Sequence, residues 1–279
     1  MNSLINAIII GAGHNGLTCA AYLARAGQSV LVLEAAAEVG GLARNRIVAN
    51  GEQLSSAAHL LHSLPQDIIK DLQLEKYGLH YAAQHLKTVS LNKNGATIVL
   101  NKQLAMGDQL SSADLLGYDR FYLDMQRFSK ALLPVLGKVA PEIAIEDWRQ
   151  KLDLLGLGWS IRKLGTFYMR EFLRIIGMNL YDLMDEYIEN TQLKAAIAMD
   201  ALLGSEWGAR SMGSVLTYLY RQAGELRNNT GLALPRGGMG TVSQAIAKSA
   251  RQSGADIRCN SPVKHIIIEN NKAVGVVLE

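Results

Sequence analysis

The residues best suited to chemistry lie within the first forty-four positions. Gly11, Gly13 and Gly16 form a Gly-x-Gly-x-x-Gly turn, Glu34 follows eighteen residues after Gly16, and Gly40-Gly41-Leu42-Ala43-Arg44 comes next. Each part has its own task in holding a phosphorylated ligand. Gly11 permits a sharp turn, Gly13 lets a pyrophosphate approach the backbone, and Gly16 lets the following helix sit close to a strand. His14 and Asn15 occupy the first helical turn, where unpaired N–H groups and the positive dipole end favour phosphate. A carboxylate at Glu34 accepts hydrogen bonds from ribose hydroxyls and repels a 2′-phosphate. The Arg44 guanidinium suits a phosphate or a polarisable ring edge.

The elements that must position these residues are a short apolar strand over 8–10, a helix over 14–26 ended by Gly27, and a second strand over 29–33. Continuous apolar runs of this length read as buried parallel strands. The glycine pattern alone is weak evidence. Between a strand and a helix, with the acid at the right distance, it points to a dinucleotide site.

The segment from Glu34 through Gly40-Gly41-x-x-Arg44 resembles the FAD-dependent oxidoreductases of the glutathione reductase superfold. More narrowly, it is similar to their amine oxidase and phytoene desaturase branch. The wording of residues 10–17 and 20–27 resembles the phytoene desaturase-related group within that branch. A second stretch agrees: Leu234-Pro-Arg-Gly-Gly-Met-Gly240, a helix to Ser253, then residues 254–263. In that family this stretch returns the chain to the FAD domain, and the backbone of the residue matching Val263 lies against the adenine. The likeness covers both ends of the chain well and the middle loosely.

The resemblance implies an α/β fold: a glutathione reductase-type FAD-binding Rossmann domain with an inserted mixed, largely helical substrate domain. It implies FAD as cofactor, held by Gly11, Gly13, His14, Asn15, Gly16, Glu34, Gly40, Gly41, Arg44 and Val263. It also implies an FAD-dependent oxidoreductase, desaturase- or dehydrogenase-like, that oxidises a lipophilic substrate by hydride transfer to the flavin. The flavin carries the difficult chemistry in such enzymes, and no catalytic acid or base is tied to a motif, so none is assigned here. Two other classes stay open. The same superfold appears in Rab GDP-dissociation inhibitors, which bind partners without turnover, so a non-catalytic binding protein is one alternative. An NAD-dependent dehydrogenase is the other, and Gly40-Gly41-x-x-Arg44 disfavours it. Members of the resembled family continue for a comparable length and carry a C-terminal Gly-Asp motif that is not found in this sequence. The expectation is an N-terminal fragment or one piece of a split enzyme, its remainder on a C-terminal partner chain.

For domain organisation, residues 1–62 with 228–279 read as the FAD-binding domain and 63–227 as the inserted domain. A β-hairpin is expected over 86–100, its Asn94-Gly95 suited to a type I′ turn. Helices are expected over 67–74, 114–135, 161–176, 180–188, 193–203 and 214–222. Those beyond residue 112 are rich in Leu, Met and Tyr. The favoured role is a helical cap with its own core; the sharper one is a lining for a lipophilic substrate or a face in peripheral contact with a membrane. A strand over 256–259 and a hairpin around Asn270-Asn271 complete the pattern.

Composition excludes other classes. The 279 residues are 49% hydrophobic and 19% charged, which suits an ordinary α/β protein. A net charge of +3, scattered along the chain, does not call for nucleic acid. Cys19 and Cys259 form no Cys-x-x-Cys pair, so thiol–disulfide exchange is not expected. His59 and His62 would share a helical face but have no third ligand nearby, so no metal site is expected. No Gly-x-Ser-x-Gly, His-Glu-x-x-His or Walker pattern occurs. With neither a signal peptide nor a span-length apolar run, a cytoplasmic or organelle-matrix location is expected.

Overall fold

A computed structural model describes residues 4–49, 51–138, 148–227 and 229–279. The chain divides into two compact units, Met1–His85 with Thr230–Glu279, and Leu86–Asn229. The first unit begins with β1 (Ala7–Ile10), α1 (His14–Arg25), β2 (Val30–Leu33), a 3-10 turn (Gly41–Ala43), β3 (Asn45–Ile47), β4 (Gln53–Ser55), α2 (Gln66–Asp71) and β5 (Tyr81–Ala83). The second unit holds β6 (Thr88–Leu91), β7 (Thr97–Asn101), β8 (Leu104–Met106), α3 (Ser112–Leu132), α4 (Trp148–Arg162), α5 (Gly165–Ile175), α6 (Leu180–Asp185), α7 (Thr191–Leu202) and α8 (Ser214–Leu226). The return to the first unit adds β9 (Leu234–Pro235), α9 (Gly240–Gln252), β10 (Asp256–Arg258), β11 (Val263–Glu269) and β12 (Lys272–Leu278).

The first unit is organised by a parallel sheet in the order β1-β2-β10. Ala7 stands opposite Val30, and Leu31 opposite Asp256. All four residues of β2 are buried, as expected of a central strand flanked by parallel neighbours. Helix α1 packs against α9. Ala20, Ala21 and Ala24 of α1 and Ala245, Ala247 and Ala250 of α9 belong to one core with Leu17 and Ile246, and small residues let the two helices approach closely. The last two strands form a separate antiparallel hairpin, turned by Asn270 and Asn271, both at positive φ, as a type I′ turn requires.

The boundary between units differs from the sequence reading. Residues 63–85 belong to the first unit, because Ile69, Leu72, Leu74 and Leu79 are buried in the same core as α1, and β5 pairs with β9. Apolar spacing in this stretch marks a helix but not the core it joins. Residue 228, the expected start of the return, lies outside the described residues. Residues 56–65 are not helical, so His59 and His62 share no helix face; Leu61 instead bridges to Ala233.

The second unit combines an antiparallel β6-β7-β8 sheet with helices α3 to α8 around a core that includes Phe121, Met125, Phe128, Phe172, Leu183 and Tyr218. The 86–100 hairpin is present as β6 and β7, but its turn is not type I′. Asn92 accepts from the Gly95 N–H and donates to Ala96, and Gly95 alone has positive φ, the mark of a type I turn followed by a glycine bulge. The helix expected over 161–176 is two helices, because Gly165 takes a φ of +82 and breaks the run. At the start of α3, Ser111 accepts the Asp114 N–H at 3.0 Å, and Asp114 accepts the N–H groups of Glu189 and Asn190 at 2.9 Å each. Among the described residues no helix is long and apolar enough to cross a membrane.

Candidate cofactor site

The glycine turn sits at the carboxyl end of β1. Gly11 has a φ of +96, and its N–H donates to Leu33 of β2 at 2.7 Å. A Cβ on Gly16 would run into the Gly11 carbonyl oxygen and stand 3.2 Å from Ile9. Only glycine lets α1 lie this near β1, as its position in the sequence motif implied. Gly13 differs: a Cβ there would meet nothing within 4 Å. Its side-chain direction is open space next to the first turn of α1. Leu17 donates to the Gly13 carbonyl, so the N–H groups of His14, Asn15 and Gly16 precede the first intrahelical bond and remain available to an anion. The His14 and Asn15 side chains are exposed.

Glu34 stands at the end of β2 with its carboxylate turned back over this turn. Oε2 accepts the Ala12 N–H at 2.7 Å and Oε1 accepts the Ala36 N–H at 2.9 Å. Each oxygen keeps a further lone pair for a hydroxyl donor. The Glu34 carbonyl accepts from Ser261, and Ala36 accepts from Asn260, so the return segment runs alongside. Val263 begins β11 two residues beyond Ser261 and pairs with Leu278.

The second glycine pair closes on the first. Gly13 and Gly40 form a parallel bridge, the Gly40 N–H donates to Ala12 at 2.8 Å, and a Cβ on Gly41 would lie 3.3 Å from the Gly13 Cα. Gly40 takes a φ of +126, a conformation L side chains rarely adopt. Arg44 ends the 3-10 turn with its side chain exposed, and among the described residues that side chain has no hydrogen-bond or ion-pair partner. Gly11, Gly13, Gly16, Glu34, Gly40 and Gly41 are thus drawn into one cluster. Arg44, His14 and Asn15 border it, and Val263 is joined to it through the backbone of residues 260–262.

Sequence reading missed Asn45. Its Nδ2 donates to the Gly237 carbonyl at 2.6 Å, and its Oδ1 accepts the Gly240 N–H at 2.9 Å. A Cβ on Gly238 would come within 2.8 Å of Asn45 Oδ1, and one on Gly240 within 2.8 Å of its Cγ. Ser55 adds an acceptor for the Met239 N–H at 3.2 Å. The Gly-Gly-Met-Gly stretch is therefore glycine-rich because Asn45, next to Arg44, occupies the space beside it. The signal was an amide side chain abutting the motif, which spacing alone does not distinguish from a surface residue. Among the described residues no three His, Cys, Asp or Glu side chains are placed to share a metal ion.

These residues fit FAD: an open glycine face for a pyrophosphate, free helix N-terminal donors, and a carboxylate oriented for ribose. Comparison with known proteins agrees. The chain is 30% identical over 294 residues to pyridine nucleotide-disulfide oxidoreductase domain-containing protein 2 of Rattus norvegicus, a match covering 98% of this chain and 50% of that protein. It is 28% identical to a limonene dehydrogenase polypeptide of Castellaniella defragrans, covering 96% of this chain and 47% of that protein. The chain thus spans about half the length of the curated relatives it matches. Wild-type putrescine oxidase bound to putrescine superposes with a TM-score of 0.59 over 98% of this chain and 54% of that one, at 18% identity, a likeness of fold alone. Residues 16–279 match the family described as flavin containing amine oxidoreductase. The chain belongs to the flavin containing amine oxidoreductase family, and its cofactor is FAD.

Proposed function

We propose that this chain forms the cofactor-holding part of an FAD-dependent oxidoreductase, desaturase- or dehydrogenase-like, that oxidises a lipophilic substrate in the cytoplasm or an organelle matrix. The observation that carries the reading is the open face of Gly13 between the N-terminus of α1 and the Glu34 carboxylate. The N–H groups of His14, Asn15 and Gly16 would bind the pyrophosphate, Glu34 the adenosine ribose, and Arg44 a phosphate oxygen or the ring edge. The backbone at Val263 would border the adenine. When bound, FAD supplies a ring that accepts a hydride from a substrate C–H or from the carbon of a C–N–H centre. The chain's own residues bind and orient it, and Asn45 holds the return linker against the segment that carries Arg44.

The name limonene dehydrogenase, carried by one relative, favours an apolar substrate. The test is direct. The purified chain should be yellow, retain FAD through gel filtration, and bind FAD in preference to NAD in parallel titrations. Anaerobic bleaching of the flavin by members of a panel of terpenoid or polyene hydrocarbons, and not by hydrophilic amines, supports the substrate class. Equal or better binding of NAD would transfer the reading to a nicotinamide dehydrogenase. Retained FAD that no substrate reduces would transfer it to a binding protein.

A further inference from the structure

Helix α4 is apolar on two opposite sides, yet none of its residues is buried. Leu157 is half-buried on one side, and there Ile161 with the following Leu164 packs against the core of the second unit. The other side carries Trp148, Leu152, Leu155 and Trp159, exposed by 63%, 55%, 68% and 61%. At 3.6 residues per turn these four fall within an arc of about 60°. A helix that is apolar all round is ordinarily buried, so this outer stripe has a partner to meet.

The charges bordering the stripe identify that partner. Lys151 and Arg162 flank it on one side, Arg149 and Lys163 on the other. The Arg149 guanidinium lies 5.6 Å from the Trp148 ring centre, and the Lys163 ammonium 5.8 Å from that of Trp159. The one acidic residue of the helix, Asp153, is turned away and pairs with Lys138. Tryptophans at both ends of a leucine stripe, with basic residues on both margins, suit the boundary of an anionic bilayer: the rings and leucines enter the headgroup region while the cations reach lipid phosphates. At about 22 Å the helix is too short to cross the hydrocarbon layer. A second copy of the chain fits poorly, since pairing two such stripes brings lysine and arginine margins together, and protein interfaces are depleted in lysine.

We propose that α4 lies flat on an anionic membrane surface and docks the protein there through Trp148, Leu152, Leu155 and Trp159. This does not depend on the cofactor reading. The test is co-sedimentation with phosphatidylcholine vesicles, with and without about one-third phosphatidylserine. A Trp207→Phe background leaves only Trp148 and Trp159 to report by fluorescence. Binding to the anionic vesicles, weakened by salt and accompanied by a blue shift, is expected. The Trp148→Ser/Trp159→Ser and Lys151→Glu/Lys163→Glu variants should each partition about tenfold less, with thermal unfolding and flavin content unchanged, because these side chains leave the core. Failure to bind either vesicle, or equal binding by the variants, would overturn the proposal. So would a dimer in light scattering that the tryptophan variant dissociates, which would assign the stripe to a second copy.

Discussion

Glu34 Oε2 accepts the Ala12 N–H at 2.7 Å, which ties the end of β2 to the turn that follows β1. The carboxylate expected to read a ribose therefore also shapes the turn beside it. Glu34→Ala should lower flavin retention and also destabilise the fold by about 1–3 kcal/mol, since the Ala12 and Ala36 N–H groups lose their acceptor. Glu34→Gln keeps one carbonyl acceptor and should unfold nearer to the parent while still retaining less FAD. Flavin-to-protein absorbance ratios and denaturant unfolding of both variants separate the two effects.

Gly13 and Gly16 are three residues apart and should respond in opposite ways to the same substitution. Gly16→Ala places a methyl against the Gly11 carbonyl, a backbone atom that cannot step aside, so a loss of about 1–3 kcal/mol or more is expected with loss of flavin. Gly13→Ala puts its methyl into open space. Its thermal unfolding should stay within about 1 kcal/mol of the parent, while FAD affinity falls at least tenfold, because the methyl occupies the ground a pyrophosphate needs. A melting curve and an FAD titration on each variant decide the matter. Unchanged FAD affinity in Gly13→Ala would remove the pyrophosphate from this face.

Asn45 joins segments that lie 192 and 195 residues apart in the chain. Asn45→Ala leaves the Gly240 N–H without its acceptor and should cost about 1–3 kcal/mol. Limited proteolysis should show the 234–240 linker cut faster than in the parent. Asn45→Asp keeps the acceptor for Gly240 but not the donor to Gly237, so an intermediate rate is expected.

Asp114 makes the second unit sensitive to acid. Burial alone would raise its carboxyl, but the Asn190 N–H, the Ser111 hydroxyl and the Glu189 N–H outweigh this and hold it below the usual aspartate value. The folded state therefore binds this proton less readily than the unfolded chain. The resulting stability is present in full above about pH 4 and is lost as pH falls through the lowered value. Asp114→Asn should flatten that acid limb and cost about 1–3 kcal/mol at neutral pH, read by denaturant unfolding across pH.

The parts of the site that could be read from residue order are those governed by local backbone geometry. A strand, a turn needing glycine at three fixed offsets, a helix and a second strand place Glu34 above the turn wherever such a unit folds. Gly40 and Gly41 followed because they return to Gly13 across a short loop. Asn94-Gly95 was a local reading that erred, since β6 and β7 are joined by a longer loop in which Gly95 alone takes positive φ. Residues 63–85 erred for a different reason: an amphipathic stripe names a buried face without naming what buries it.

The sequence by itself thus determined the nucleotide-binding turn, its acid and the cofactor class, because these depend on φ, ψ and spacing within about forty residues. Only the tertiary structure decided that Asn45 clamps the Gly237–Gly240 linker, that residues 63–85 complete the first core, and that α4 turns its tryptophans outward. Each of these rests on contacts between distant segments, or on which side of a helix the core reaches first. No local periodicity carries that information.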